Sequence, residues 1–318
     1  MAVTLEAAAQ NAVDDLDLSI INEFRTSTLI DALPFEDAVN PIGGGGTLTY
    51  SYRRETALAD AAFRAINTEY TPANLPPTTR HSVDLHPLGG AFEVDRVFRN
   101  VGPAQTNEIS RNMSAVIRAA SAKFSETFIT GDSSAQVNSF DGLSKTLAGT
   151  TTEVLDTSEF DISGAMTEEK AWAMLDLLDA LLAKVEGTGR RVIIANDKFI
   201  RKAIAAARRL SVHVEKPGPL HSYRHYYGDV ELIDAGKGPG QNKDIIANDK
   251  AQGTDVYAAR LALDGVHGVS LAGQPLVQYW LPNFNQARAV HRGEVELGPV
   301  AVAMKSTKAA AVFRGVKL

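Results

Sequence analysis

The chain has 318 residues, 44% of them apolar, which is enough for about two globular domains with substantial cores. It contains no run of eighteen apolar residues and no basic leader before an apolar segment, so we expect neither a membrane span nor a secretory signal. The absence of cysteine excludes disulfides, thiolate metal sites and thiol nucleophiles, and a net charge of −6 gives no electrostatic basis for tight nucleic-acid binding.

Residues 1–46 form an acidic N-terminal segment, in which eight carboxylates oppose a single base, Arg25. The pattern at Thr4–Val13 is compatible with a short helix, but no long apolar stripe is available for burial. We therefore predict an extended arm that becomes ordered by lying on another surface, with a plain solvated terminus as the alternative. Gly43–Gly46 interrupts regular structure and is predicted to act as a hinge.

Strand patterns follow these glycines. Thr47–Arg54 alternates β-branched or aromatic residues with polar ones, as a half-buried strand does. A second pair of strands is predicted at His81–His86 and Phe92–Phe98, joined by a turn at Pro87–Gly90. The prolines between residues 72 and 77 preclude a compact element, so the pattern indicates a long β-ribbon with a loose tip. A two-stranded ribbon is marginally stable alone in water, so this one must pack on a neighbour.

A long amphipathic helix is predicted over residues 106–130. Thr106 or Asn107 caps its start, Glu108 complements the positive end of its dipole, and Gly131 is expected to end it in a left-handed conformation. Such a helix is about 36 Å long. Its apolar residues recur at spacings of three and four and form one stripe: Ile109, Met113, Val116, Ile117, Ala120, Phe124 and Phe128.

A second helix is predicted to begin after its N-cap, Thr167, and to stop at Gly187. The segment before it, Thr150–Ser163, is polar and suited to strand. After it, Arg191–Ala195 is predicted to form a short apolar strand and Asp197–Leu210 another helix. The buried face of the second helix is predicted to comprise Trp172, Leu175, Leu178, Leu181, Leu182 and Val185.

The C-terminal third has a mixed pattern in which strands predominate. Val256–Leu263 and Val266–Leu271 flank Asp264-Gly265, a two-residue signal for a hairpin. Further strands are predicted at Leu276–Leu281, Val290–Leu297, Val300–Met304 and Val312–Val316.

Two short motifs bracket the end of the long helix. Phe128-Ile129-Thr130-Gly131-Asp132 and Phe140-Asp141-Gly142-Leu143 resemble a signature of the major capsid proteins of tailed bacteriophages, which have the Hong Kong 97-type coat fold. In that family a long spine helix ends at a Gly-Asp pair, and a Phe-x-Gly-Leu segment leads into the body of the subunit. The order of the flanking segments agrees from about residue 47 to residue 318. Helix, glycine stop and turn also occur together in other α/β proteins.

The resemblance implies an α+β coat fold divided into five segments. These are an N-terminal arm (1–46), an extended loop or β-ribbon (47–103), a spine helix with a peripheral domain (104–210), an axial domain (211–290) and a C-terminal return into the peripheral domain (291–318).

The resemblance also implies a structural subunit, not an enzyme, without cofactor or metal. Its hexamers and pentamers would build an icosahedral head shell around double-stranded DNA held non-specifically, first in the host cytoplasm and then in the virion, with no membrane partner. No long scaffold-like segment precedes the arm, so a separate scaffolding protein is expected, with a portal and a decoration protein as further candidate partners. Two alternatives stay open: an encapsulin-type nanocompartment, which shares the fold, and a soluble α/β enzyme.

The ribbon carries its positive charge on arginine, because all 13 lysines lie at or after Lys123. Arginine keeps its charge and forks onto carboxylates, which suits ion pairs between subunits. Some relatives crosslink their shells through a ribbon lysine, and its absence here predicts a shell without crosslinks. The candidate intersubunit contacts are Arg53, Arg54, Arg96 and Arg99, with Glu168 and Glu169 of a neighbour as partners.

Other chemistry is weakly indicated. His221 and His225 have the spacing of zinc ligands on a helix, but the sequence lacks the glutamate of an HExxH motif, which favours a polar surface pair. Gly236-Lys237-Gly238 lacks the Ser or Thr of a phosphate-binding loop. The basic residues of Lys198–Arg209 are predicted to form a solvated helix face, with contact to DNA or a scaffold as the alternative. We predict no catalytic, cofactor or metal site.

Overall fold

The fold is given by a computed structural model that describes residues 2–3, 28–39, 47–55, 61–70, 78–97, 103–211, 214–217, 223–240, 243–249 and 253–318. The α-helices in these ranges are α1 (Thr28–Ala32), α2 (Pro103–Thr130), α3 (Leu143–Thr146), α4 (Glu168–Ala183) and α5 (Asp197–Arg209). Short 3₁₀ turns occur at Ser158–Phe160 and Thr307–Ala309. The predicted helix at Thr4–Val13 and the hinge at Gly43–Gly46 lie outside the described residues.

The strands in the same ranges are β1 (Ala2–Val3), β2 (Phe35–Val39), β3 (Thr49–Glu55), β4 (Thr78–Asp84), β5 (His86–Asp95), β6 (Glu153–Val154), β7 (Arg190–Ala195), β8 (Val214–Pro217), β9 (Tyr223–Tyr227), β10 (Val230–Asp234), β11 (Asn248–Asp249), β12 (Gly253–Leu261), β13 (Val266–Leu271), β14 (Val277–Trp280), β15 (Val290–Met304) and β16 (Ala310–Val316).

Among the described residues, fourteen of these strands form one mixed sheet, whose main path runs β1-β2-β13-β12-β7-β10-β9-β8. Strand β16 lies beside β12, and β15 extends from β13 into a three-stranded part with β5 and β14. The other two strands, β3 and β4, pair with each other as a separate ribbon. The mixed helix and strand content agrees with the predicted α+β class.

Helix α2 packs its apolar stripe on β5 and β15, which confirms the predicted long helix. It begins at Pro103, three residues earlier than predicted, and proline suits a first helical turn because its missing N–H would be unsatisfied there. The stripe residues Met113, Ile117, Phe124 and Phe128 are buried. The ring of Phe124 lies 6.2 Å from that of Phe35 and 5.8 Å from that of Phe140, so the helix holds β2 and the following loop in one core.

The end of α2 differs from the prediction. Gly131 does not have a left-handed backbone, since it is not among the described residues with positive φ. It is needed for close approach instead, because a Cβ there would lie 2.4 Å from the carbonyl oxygens of Thr127 and Phe140. Gly142 donates its N–H to the carbonyl of Gly131 at 2.9 Å, and a Cβ on Gly142 would lie 2.5 Å from the Thr127 oxygen. The two motif glycines therefore let two backbone segments touch.

Helices α4 and α5 cover the opposite face of the sheet, over β7, β12 and β16, and form a second core. Both predicted helices are confirmed, and Thr167 caps α4 by accepting the N–H of Lys170. Trp172 was expected on the buried face, and that prediction is wrong, because the side chain is 54% exposed. At about 100° per residue, Trp172 falls outside the arc of the helix spanned by its buried residues, Ala171, Met174, Leu175, Leu177, Leu178 and Leu181.

Two predicted hairpins are wrong. Pro87–Gly90 lies inside β5, which pairs with β15, and the N-terminal neighbour β4 pairs with β3 instead. Gly89 is required there because a Cβ would lie 2.2 Å from the Val295 carbonyl oxygen. The strands flanking Asp264-Gly265 diverge after one parallel bridge, Leu261 to Val266, since β12 joins β7 and β16 while β13 joins β2 and β15.

The described part of the acidic arm is built into the subunit's own core, unlike the predicted arm without apolar surface. Leu29, Leu33 and Phe35 are fully buried, and β2 lies between β1 and β13. Ion pairs fix α1 to the sheet: Arg224 contacts Asp31 at 2.7 Å and the buried Glu231 at 2.9 Å. Because a buried carboxylate needs a partner, this network specifies where the arm sits.

The predicted boundary at residue 210 does not coincide with a break in the sheet. Strand β10 pairs in parallel with β7, and β12 pairs antiparallel with β7 on its other side. The described part of 211–290 therefore shares its sheet with 190–195. The division into a peripheral and an axial domain stays a prediction.

We predict that Gly142→Ala lowers the free energy of unfolding by about 1–3 kcal/mol, the usual cost of overpacking. Gly142 has an ordinary φ of −82°, so steric overlap alone produces the effect. Gly298→Ala is the matched control, because its Cβ would meet its nearest neighbour at 3.4 Å, an ordinary contact. Urea denaturation of both variants measures the difference. Equal stability of the two would contradict the close-approach explanation.

Candidate assembly surfaces

The ribbon formed by β3 and β4 lies at the surface, with exposed residues on both strands. Its register runs from Thr49 opposite Asp84 to Glu55 opposite Thr78. Since alternate residues of a strand point to opposite faces, the ribbon has two different sides. Tyr50, Tyr52 and Arg54 are partly buried against the body, whereas Ser51, Arg53 and Glu55 on the same strand are exposed. An open cleft of about 490 Å³ separates the inner side from the loop that follows α2.

A partly buried polar cluster, the ribbon root, attaches the ribbon to the body. Its centre is the carboxylate of Glu36 on β2, which accepts hydrogen bonds from the Tyr50 hydroxyl and the Lys305 ammonium, both at 3.0 Å. His267 Nε2 lies 3.1 Å from the same oxygen, and the His267 ring stands edge-on to Tyr50. Arg54 adds hydrogen bonds to the carbonyls of Met304 and Lys305. Four distant segments therefore meet at one carboxylate.

Burial controls the charges of the ribbon root. It lowers the pKa of His267 to about 4, with help from the nearby Lys305 ammonium, so this imidazole is neutral at neutral pH. Burial opposes ionisation of Glu36, but the hydrogen bonds from Lys305 and Tyr50 outweigh it and hold the pKa of Glu36 below its ordinary value. The Glu36 carboxylate thus carries a negative charge beside the Lys305 ammonium, and the Arg54 guanidinium adds a second positive charge to the root.

The tip of the ribbon is apolar and exposed. Every residue described between 61 and 70 is exposed. Phe63 is fully exposed and Ile66 is 90% exposed. The guanidinium of Arg64 lies over one face of the Tyr70 ring, 5.4 Å from its centroid. Large apolar side chains gathered on one protruding segment are typical of a surface that is buried in an assembly.

Comparison with solved structures identifies the architecture. No protein-family model matches the chain, and no curated protein sequence matches it. The structure of the native GTA particle capsid aligns with a TM-score of 0.56 and 12% identity over 92% of this chain and 90% of that one. The holo-SrpI encapsulin complex from Synechococcus elongatus aligns with a TM-score of 0.53 and 18% identity over 92% and 88%. The capsid of Myoviridae phage XM1 gives 0.52 and 13% over 87% and 89%.

The chain has the Hong Kong 97-type coat fold. These neighbours are shells of both kinds, phage capsids and an encapsulin. The fold is therefore the one that the two motifs around the end of α2 indicated.

The charged residues that we predicted to form intersubunit contacts have different environments in the coat fold. Arg53 and Arg96 are exposed, and Arg99 lies outside the described residues. Arg54 is instead engaged at the ribbon root within its own chain. Glu168 and Glu169 are exposed in the first turn of α4. The pairing of these arginines with Glu168 and Glu169 stays a prediction.

Other predicted sites have simpler positions. His225 lies on strand β9, not on a helix, and His221 is outside the described residues. No cluster of potential metal ligands occurs within the described part of the chain. On α5, Lys202 donates to the carbonyls of Ile162 and Gly164, so part of its basic face is used inside the subunit. No helix in the described ranges is long and apolar enough to cross a membrane.

The ribbon root was missed by sequence reasoning. Alternation along Thr47–Arg54 identified a half-buried strand, and from it the inward side of Tyr50 and Tyr52 is deducible. Glu36, His267 and Lys305 give no comparable signal, because each comes from a different strand or strand end and their meeting depends on the whole sheet.

We predict that acid weakens the ribbon root. Between the ordinary pKa of 6.5 and about 4, the unfolded chain binds a proton at His267 that the folded chain does not, so the free energy of unfolding falls as pH falls through this window. The lowered pKa of Glu36 adds a further loss below its ordinary 4.5. His267→Gln should flatten the first part of this dependence, measured by urea denaturation across the window. The control is His86→Gln on β5, and an unchanged slope in His267→Gln would contradict the assignment.

Proposed function

We propose that this chain is a shell-forming structural subunit, the major capsid protein of a tailed bacteriophage, and not an enzyme. The observation that carries the proposal is a ribbon whose apolar tip has no partner surface in the described part of its own subunit. The coat fold, shared with phage capsids, supplies the context in which such a ribbon is useful. A soluble α/β enzyme, the third reading of the sequence, gives no reason for a protruding apolar segment.

The energetics favour assembly through apolar contacts. Full burial of a side chain such as Phe63 or Ile66 contributes about 1.5–3 kcal/mol, whereas an exposed ion pair contributes about 0–1 kcal/mol. A closed symmetric shell repeats every contact in each subunit, so modest contacts are sufficient when they are made many times. We infer that the tip supplies adhesion and that charged groups set its register.

An encapsulin-type nanocompartment is the second candidate. The encapsulin complex is more similar in sequence, at 18% identity, than the two phage-type capsids compared above, at 12% and 13%. The contents of the particles separate the two readings. A phage shell encloses double-stranded DNA, which is retained after nuclease treatment of intact particles, whereas an encapsulin encloses a cargo protein that co-purifies at a fixed ratio.

The remaining assembly partners belong to the same proposal. The subunit would form hexamers and pentamers, together with a separate scaffolding protein, a portal and a decoration protein, and it would reside in the virion after assembly in the host cytoplasm. The arginines that the sequence suggests, among them the exposed Arg53 and Arg96, would face carboxylates of a neighbouring subunit, and Glu168 and Glu169 are the candidate partners from the sequence.

We predict that Phe63→Ser combined with Ile66→Ser prevents shell formation without unfolding the subunit. The two side chains are exposed, so their loss removes contacts only from the assembly. Each protein is expressed with and without its scaffolding partner and examined by electron microscopy and light scattering. The wild type should form closed particles, and the variant should remain a small species with an unchanged melting temperature. Ala62→Ser is the matched control in the same segment. Normal shells from the double variant would contradict the role of the tip.

We predict that the assembled shell contains no crosslinked chains. No lysine precedes Lys123, so the ribbon has no amine nucleophile for an isopeptide bond. Purified particles boiled in denaturant should therefore give one band at the 34.1 kDa mass of the single chain. A ladder of multiples of that mass would overturn this prediction.

A further inference from the structure

The outer face of the sheet formed by β5, β15 and β14 carries two carboxylates of β15, Glu294 and Glu296, which we call the acidic row. Two cross-strand rows lie side by side there: Gly89, Glu296 and Gln278, then Ala91, Glu294 and Trp280. Val295 and Leu297, which alternate with the two glutamates along β15, are buried on the inner face. Glu294 and Glu296 therefore face outward. Gly89 and Ala91, opposite the two carboxylates on β5, carry little or no side chain.

Glu296 is poorly compensated in the isolated subunit. Arg292 pairs with Glu294 at 2.9 Å, but within the described residues no basic side chain pairs with Glu296. Burial, followed by repulsion from Glu294, raises the pKa of Glu296. A tryptophan that is 48% exposed, Trp280, stands across from Glu294. A carboxylate beside an exposed aromatic ring is a favourable environment for a guanidinium.

The exposed side of the ribbon has the opposite imbalance, an excess of positive charge. Arg53 and Arg80 are directly opposite each other on β3 and β4, and both are exposed. Like charges in this position destabilise a strand pair. Arg80 donates to the hydroxyl of Ser51 at 3.1 Å, and neither arginine has a carboxylate partner within the described part of the chain.

We propose that the acidic row of Glu294 and Glu296 receives the Arg53–Arg80 pair of a second copy of this chain. The proposal rests on the proposed shell function and specifies one of its contacts. Each surface relieves the like-charge repulsion of the other, and the fork of an arginine suits both a carboxylate and the face of Trp280.

The arginines that bind the acidic row come from a second copy, because the ribbon of the same subunit lies too far from Glu296. Arg54 holds the ribbon at the carbonyls of Met304 and Lys305, eight and nine residues along the chain from Glu296. At about 3.3 Å per residue the separation along β15 is roughly 25 Å, several times the reach of an arginine side chain. Glu168 and Glu169 have less need of an external cation, because the first turn of α4 already favours negative charge.

Cysteine pairing tests the contact directly, since the chain has no cysteine of its own. Chains carrying Arg53→Cys and chains carrying Glu296→Cys are mixed, assembled and oxidised, then separated on a non-reducing gel. The expected result is a disulfide-linked dimer containing one chain of each kind. Each variant alone and the mixture of Arg53→Cys with Glu168→Cys are the controls. A mixed dimer with Glu168→Cys and none with Glu296→Cys would overturn the proposal.

Charge reversal gives a second measurement, which does not depend on disulfide geometry. Arg53→Glu or Glu296→Arg alone should lower the assembled fraction roughly tenfold, and the combination in one chain should restore it. If the wild type forms shells and the combination fails to restore assembly after each single change has reduced it, or if neither single change has an effect, this contact is wrong while the shell function stands. If the wild type forms no shells under any condition, both fail.

Discussion

The burial of the apolar stripe of α2 is the interaction on which the rest of the structure depends. Phe124 contacts Phe35 on one side and Phe140 on the other, which fixes both β2 and the loop after the helix. The residue after Phe35 is Glu36, the carboxylate at the centre of the ribbon root. The direction of the ribbon is therefore determined, through two adjacent residues, by the packing of the long helix.

The ribbon is attached to its own subunit at the root, whereas its tip packs on no surface in the described part of that subunit. Its root makes several hydrogen bonds within the subunit, while its tip exposes Phe63 and Ile66 to solvent. A fully flexible ribbon would lose conformational entropy each time it docked, and a ribbon held at its root loses less. In the proposed shell, this partly buried polar cluster would lower the entropic cost of assembly, although a cluster of this kind adds little net stability to the subunit itself.

Local sequence patterns predicted the helices and strands well, but they predicted poorly which strands pair with each other. Helix α2 was predictable because its apolar period continues through many turns, and the two glycine motifs indicated the fold. Pro87–Gly90 has the composition of a turn, yet it lies in a strand, because Gly89 is needed against the backbone of β15. The burial of Leu29 and Leu33 was missed since α1 has only five residues, too few to show a period. Pairings between strands far apart in sequence leave no local pattern.

The adjacent arginines Arg53 and Arg54 show why strand alternation matters for function. The sequence presented them as one basic patch, but neighbours on a strand point to opposite faces. Arg54 uses two nitrogens on two consecutive carbonyls, a forked contact that the single ammonium of a lysine does not reproduce. Arg53 is left outside, directly opposite Arg80, and this like-charge pair is unfavourable in the isolated subunit. The same residue type thus fixes the ribbon on one face and leaves the other face without a counter-charge, which suits the proposed subunit that is stable alone and more stable in a shell.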